Sequence, residues 1–223
     1  MKRTALKDRV LPTYTRGEEI FNMVSHIVGG ALGIAYLVLC VIMAAVRHNP
    51  LGVVGSAIYG FSVILLFTMS SIYHGLRQGM AKKVFQIIDH CTIYIMIAGT
   101  YTPITLSAIM PYSPATAWTL FGIVWGVTAF AMVFTAIDHH KYKVLSMICY
   151  LGLGWCIVGF WPITYKAIGY NGAVFLVLGG LLYTIGVILY GLGRKHKYMH
   201  SLFHLFVNAA SLMHFFCILF YAI

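Results

Sequence analysis

Seven times along this chain an apolar stretch of about twenty residues recurs, and little but a short polar connection separates one from the next. The stretches lie at roughly 21–46, 51–74, 84–110, 115–137, 143–165, 172–192 and 200–222. At 1.5 Å per helical residue each is long enough for a hydrocarbon core of about 30 Å. Inside lipid every backbone N–H and C=O must find its partner within the protein, so only helices and closed barrels can cross. Barrel strands would read as alternating segments of about ten residues, which these are not. The expected fold is therefore all-α, an integral membrane bundle of seven transmembrane helices. A tail over 1–20 would precede a single domain over 21–223. Asn49-Pro50, Gly79, Pro111 with Pro114, and Asn171-Gly172 mark the turns.

Lys and Arg fix the expected orientation. Lys2, Arg3, Lys7, Arg9 and Arg16 precede the first span; Arg77, Lys82 and Lys83, then Lys141 and Lys143, then Arg194, Lys195 and Lys197 occupy alternate connections. Only Arg47 and Lys166 remain for the opposite side. The positive-inside bias puts the N-terminus in the cytoplasm and the C-terminus outside, as for a multi-pass protein of the cell (inner) membrane. The same distribution argues against nucleic acid as a partner, because the net charge of +10 is spread over short loops rather than gathered into one patch. Membrane lipids are the expected partners, and no soluble protein partner is implied. The five cysteines fall within apolar segments without CxxC spacing, so no disulfide framework is expected. A basic N-terminus without a short apolar region and small-residue cleavage site reads as an uncleaved start.

With seven crossings, polar residues distant in sequence reach one level. The second span ends at Ser70-Ser-Ile-Tyr-His74, the third soon reaches Asp89-His90, and the seventh opens with His200 and His204, which share a helix face at i, i+4. Asp89 is the one carboxylate several residues inside a span, a costly place for a charge without a cation. His74, His200 and His204 would make a three-histidine site of the open kind that binds zinc with water in the fourth position. Ser70 would hydrogen-bond that water or a ring N–H. The competing reading is a cluster of satisfied polar side chains at the interface. Copper, nickel and iron also suit imidazole. Glu19, Asn22 and His26 share one face of the first span and are candidates to line the same cavity, or Glu18 and Glu19 simply favour the positive end of that helix.

His90 points about 100° away from Asp89 on a helix and is read as packing. His139, His140 and His196 lie in charged loops and are read as solvated. His214, about 21 Å along the helix from His200, cannot bind the same ion. Pro103 with Gly99 is expected to bend the third helix, and Trp118, Trp155 and Trp161 are candidate interfacial anchors.

The stretches Glu18-Glu-Ile-Phe-Asn22-Met-Val-Ser-His26, Ser70-Ser-Ile-Tyr-His74, Asp89-His-Cys-Thr-Ile-Tyr94 leading to Ala98-Gly-Thr-Tyr-Thr-Pro103, and His200-Ser-Leu-Phe-His204 resemble, in order and spacing, the haemolysin III family. That family is the bacterial branch of the progestin and adipoQ receptor superfamily, with alkaline ceramidases as distant relatives. The resemblance implies a seven-helix bundle with zinc on the cytoplasmic side, bound by His74, His200 and His204, and with Ser70 and Asp89 near its water. It points to membrane-lipid homeostasis and to a zinc-dependent hydrolase acting on a lipid amide or ester. Two alternatives stand beside it: a receptor-like protein with a structural zinc, and a pore-forming cytolysin. A secreted pore-former would need a water-soluble form that this chain lacks. A retinal protein is disfavoured, since the seventh span has no Lys for a Schiff base.

Overall fold

A computed structural model describes residues 4–193 and 195–223. Lys2, Arg3 and Arg194, counted above for charge, lie outside the described residues. The described chain is helical, with no strand. The helices are α1 (Arg16–Val46), α2 (Pro50–Gly75), α3 (Met80–Pro103), α4 (Pro114–Asp138), α5 (Lys143–Trp155), α6 (Trp161–Leu192) and α7 (Met199–Cys217). A 3₁₀ turn, Cys156–Phe160, joins α5 to α6, and π-helical turns, Ile104–Ile109 and Ile218–Ala222, extend α3 and α7.

The helix starts follow local chemistry. Thr15 caps α1 in a reciprocal box: its side chain accepts from the Glu18 N–H while the Glu18 carboxylate accepts from the Thr15 N–H at 2.9 Å. Asn49 and Ser113 cap α2 and α4 with their side-chain oxygens, and each is followed by a proline at the first helical position, where no N–H is needed. Pro103 does not end the third helix. The backbone continues with helical angles into the π-helical turn.

Among the described residues, six helical segments are long and apolar enough to cross a membrane. One of them, Lys143–Leu192, has 50 residues, about 75 Å if straight and more than twice a hydrocarbon core. It does not run straight. Gly169 has φ +67°, a conformation that side chains resist, and the chain doubles back there. Lys143 lies over the ring of Tyr190 at 5.6 Å, and the Trp155 indole donates to Thr184 Oγ1 at 3.0 Å, so residues 143–155 run antiparallel to 184–190. The expected boundary between the fifth and sixth spans, at 165–172, contains this reversal. Trp155, expected as an interfacial anchor, is held inside the bundle by that bond; Trp118 is exposed.

Polar contacts sort the ends of the helices. At one end Thr4 N–H donates to Asp138 at 2.8 Å, Tyr198 N–H donates to Glu18 at 2.7 Å, and Lys82 reaches Glu19. At the other, Arg47 reaches the Ile223 carbonyl, Asn49 donates to Ser107 Oγ at 2.7 Å, and Lys166 lies over the ring of Tyr112 at 5.3 Å. Between them runs a core of apolar side chains including Tyr36, Tyr59, Phe67, Tyr94 and Leu120. Many large apolar residues face outward instead, among them Val28, Ile42, Phe61 and Ile188, as a protein solvated by lipid requires.

Candidate metal centre

α2 and α7 reach the same end of the bundle from opposite directions, and this brings His74 against His200 and His204. All three rings are buried, and each offers a nitrogen within 4.8 Å of the other two. The Nε2 atoms of His200 and His204 face each other at 3.1 Å, and Nε2 of His74 has no hydrogen-bond partner. Ring nitrogens rarely stay unpaired in a buried site. An unpaired His74 nitrogen, beside two imidazoles that have only each other on that side, suits a divalent cation that prefers imidazole. Neutral rings are the form such an ion binds.

Support for the rings comes from α1. The Glu19 carboxylate accepts from Nδ1 of His74 at 2.7 Å, which leaves the Nε2 lone pair facing inward. Lys82 holds the other Glu19 oxygen at 2.7 Å and also donates to the carbonyl of Leu76 at 3.0 Å. Asn22 Nδ2 stands 3.5 Å from His74 Nδ1. His26 stacks on His204 with ring centroids 3.8 Å apart and closes the cluster against Phe67. Tyr14, in the segment before α1, stacks on His200 at 4.9 Å and covers the site from the outside; burial pushes its phenol well above the usual range.

Asp89 and Ser70 sit beside the triad rather than within it. Ser70 is a hydrogen-bonding neighbour of the Asp89 carboxyl, and both line a cavity that also takes in His26, His200 and His204. The cavity continues between α3, α5, α6 and α7 past Ile93, Met96 and Val207 as far as His214. One end is thus polar and the wall beyond it mostly apolar.

Several expectations change here. Asp89 lies well inside α3 as expected, and two further acids are buried at helix ends: Glu18, 5% exposed and bonded by Thr15 and Tyr198, and Asp138, 1% exposed. Lys82, expected in the connection between the second and third spans, is 1% exposed in the first turn of α3, so the bundle does bury a cation near this end. It neutralises Glu19, not Asp89. His139, expected to be solvated, is buried at the cavity wall with its ring 4.0 Å from that of His90. Burial first, then the neighbouring His90, His140, Lys143 and Arg9, push His139 down to about 2. His90 also lines the cavity and donates from Nδ1 to the Gln86 carbonyl at 2.7 Å. His140 and His196 are exposed. His214 donates from Nε2 to the Leu176 carbonyl at 3.1 Å, far from the triad. The sequence signal for Lys82 was its position one helical turn inside Gly79, a cap without a side chain.

Fold and site together define a multi-pass helical membrane protein with a buried histidine triad near one end. Residues 14–215 match the family model described as haemolysin-III related. The chain belongs to the haemolysin III family, within the progestin and adipoQ receptor superfamily. It is 35% identical over 206 residues to Hemolysin-3 of Bacillus cereus, covering 92% of each chain. It is 35% identical over 210 residues to the Hemolysin-3 homolog of Bacillus subtilis strain 168, covering 94% of this chain and 97% of that one. The human monocyte to macrophage differentiation factor is 28% identical over 171 residues, 72% of this chain and 67% of the relative.

Proposed function

We propose that this protein hydrolyses an amide or ester bond of a membrane lipid, using zinc bound by His74, His200 and His204, and that it serves membrane-lipid homeostasis. The observation that carries this reading is the cavity joining His200 and His204 of the triad, Asp89 and Ser70 to a mostly apolar chamber that reaches His214. A divalent ion in the triad supplies Lewis-acid polarisation of a carbonyl and acidifies water. The protein's own groups do the rest. Glu19 fixes the tautomer of His74, and Lys82 holds Glu19 in place from its other oxygen. Asp89 accepts the proton of the attacking water, and Ser70 orients that carboxylate. The apolar wall holds the acyl chain and excludes bulk water.

The bundle is read as crossing the inner membrane seven times, with the N-terminus cytoplasmic. Support comes from the reversal at Gly169, from Lys143 and Tyr190 meeting at one end, and from the basic connections at the end that carries the triad.

The deciding experiment combines metal analysis with a lipase and amidase assay on purified protein. Wild type should hold one zinc per chain and release fatty acid; Asp89→Asn should retain the zinc and lose at least about 100-fold in rate, the usual contribution of a general base. A second reading, zinc as a clasp between α2 and α7, is favoured by the Glu19, Asn22 and His26 contacts that already brace the rings from α1. It wins if no lipid is cleaved while His204→Ala removes the metal and lowers the melting temperature. The names of the Bacillus relatives raise cytolysis as an alternative, and lysis of cells by externally added protein would favour it.

A further inference from the structure

A second, smaller cavity adjoins the far end of the chamber, and six residues line both: Thr100 and Tyr101 of α3, Gly154 and Trp155 of α5, Gly180 of α6 and His214 of α7. They form a collar drawn from four helices. Past the collar the lining is apolar, with Ile104, Ile157, Val158, Trp161, Leu176 and Val177. The rings of the collar are tied down. The Trp155 indole donates to Thr184 Oγ1 at 3.0 Å, and that hydroxyl donates to the Gly180 carbonyl at 2.8 Å. His214 donates to the Leu176 carbonyl at 3.1 Å, and the Tyr101 hydroxyl donates to the Leu153 carbonyl at 2.9 Å. Consecutive glycines of α6 leave room for two of these rings: a methyl group on Gly179 would overlap the His214 ring, and one on Gly180 would stand 3.3 Å from the Trp155 ring.

An alkyl chain that enters from the triad end meets the collar before the second cavity. Each methylene it buries on the way strengthens binding about fourfold. Moving the Trp155 ring aside breaks its bond to Thr184, and an indole N–H left unpaired in an apolar site costs more than one further methylene gains. We propose that Trp155 is the specificity-determining floor of the chamber, which limits the length of the acyl chain the lipid site accepts, and that the cavity beyond it becomes usable only when this ring is removed. This role rests on the reading of the chamber as an acyl-chain site and is independent of any metal. It makes the protein select its lipid by chain length, with the carbonyl end beside Asp89 and the methyl end against Trp155.

The test is calorimetric titration of the full chain in neutral detergent with a series of straight-chain fatty acids, the products of either hydrolysis, so that binding is read without turnover. Each affinity is corrected for the measured partition of the acid into protein-free micelles. Wild-type affinity should rise about fourfold per methylene up to a break and be flat or falling beyond it. Trp155→Ala should match wild type below the break, which shows that the variant is folded, and should continue to rise above it. Trp155→Ala combined with Val177→Phe, which fills the second cavity, should restore the wild-type break. A wild-type rise without a break, the wild-type break retained in Trp155→Ala, or a double variant that still gains from longer chains overturns the assignment. If Trp155→Ala also weakens the short acids, Trp155→Phe decides: its smaller ring, with no N–H to satisfy, moves the break to longer chains if Trp155 is the floor, and an unmoved break overturns it. Failure of every acid to bind wild type defeats the chamber reading itself.

Discussion

Glu19 illustrates how a single side chain can set the chemistry of another. Its carboxylate bridges Nδ1 of His74 and Nζ of Lys82, both at 2.7 Å, so the histidine presents Nε2 to the triad while the lysine balances the acid in a low-dielectric region. Replacing Glu19 by Gln should weaken metal affinity by about 10- to 100-fold, measured by competition with a chromogenic chelator. An unchanged affinity would mean that packing alone orients His74. Lys82→Met should leave Glu19 without its cation and destabilise the bundle by roughly 1–3 kcal/mol, less than for a fully buried pair because Glu19 retains 17% of its side-chain exposure. Thermal unfolding in detergent would show the drop. At this scale the histidines were legible, since two imidazoles at i, i+4 heading an apolar run are costly there unless they bind something. Lys82 and His139 were not, because a residue near the end of a span reads as solvated until its neighbours are known.

Among the helices, contact depends on where small residues fall. A methyl group on Gly60 would come within 2.6 Å of the Leu37 Cα, so α1 and α2 touch there through backbone. Gly60→Val should force the pair apart and lower stability by about 1–3 kcal/mol, read as a lower melting temperature with the metal site farther along the helices also loosened. Gly169 is a different case. Its φ of +67° strains any residue with a Cβ, although the space around it is open. Gly169→Ala should therefore be mild, about 1 kcal/mol, as backbone strain without a clash. A large loss would indicate that something packs on that turn. The apolar runs located the helices well, whereas the join between the fifth and sixth spans was recognisable only from Asn171-Gly172, two residues beyond the actual reversal.

For the molecule as a whole, the two ends of the bundle differ in chemistry. One carries the triad, Glu18, Glu19, Asp138 and most of the basic residues; the other carries Arg47, Lys166 and the C-terminus. Alkaline phosphatase fused after Ile223 should be active in a bacterial host, and the same enzyme fused after Lys197 should be inactive, since it folds only outside the cytoplasm. The reverse pattern would invert the orientation and place the triad in the outer leaflet. If zinc links α2 to α7, stripping it with a chelator should lower stability by about 4 kcal/mol when free zinc had stood at a thousand times its dissociation constant.

Run length, charge spacing and residue type needed no tertiary structure to establish that this is a helical membrane protein with histidines, an acid and a serine near one face, because the bilayer imposes length and polarity on each span separately. Which of those groups meet was decided by tertiary packing. Whether Asp89 joins the triad or stands beside it, which acid receives Lys82, and whether His139 faces water or the cavity all depend on the rotation of each helix about its own axis. That rotation is fixed by the neighbours a helix packs against, and hydropathy, summed along a span, carries no record of it.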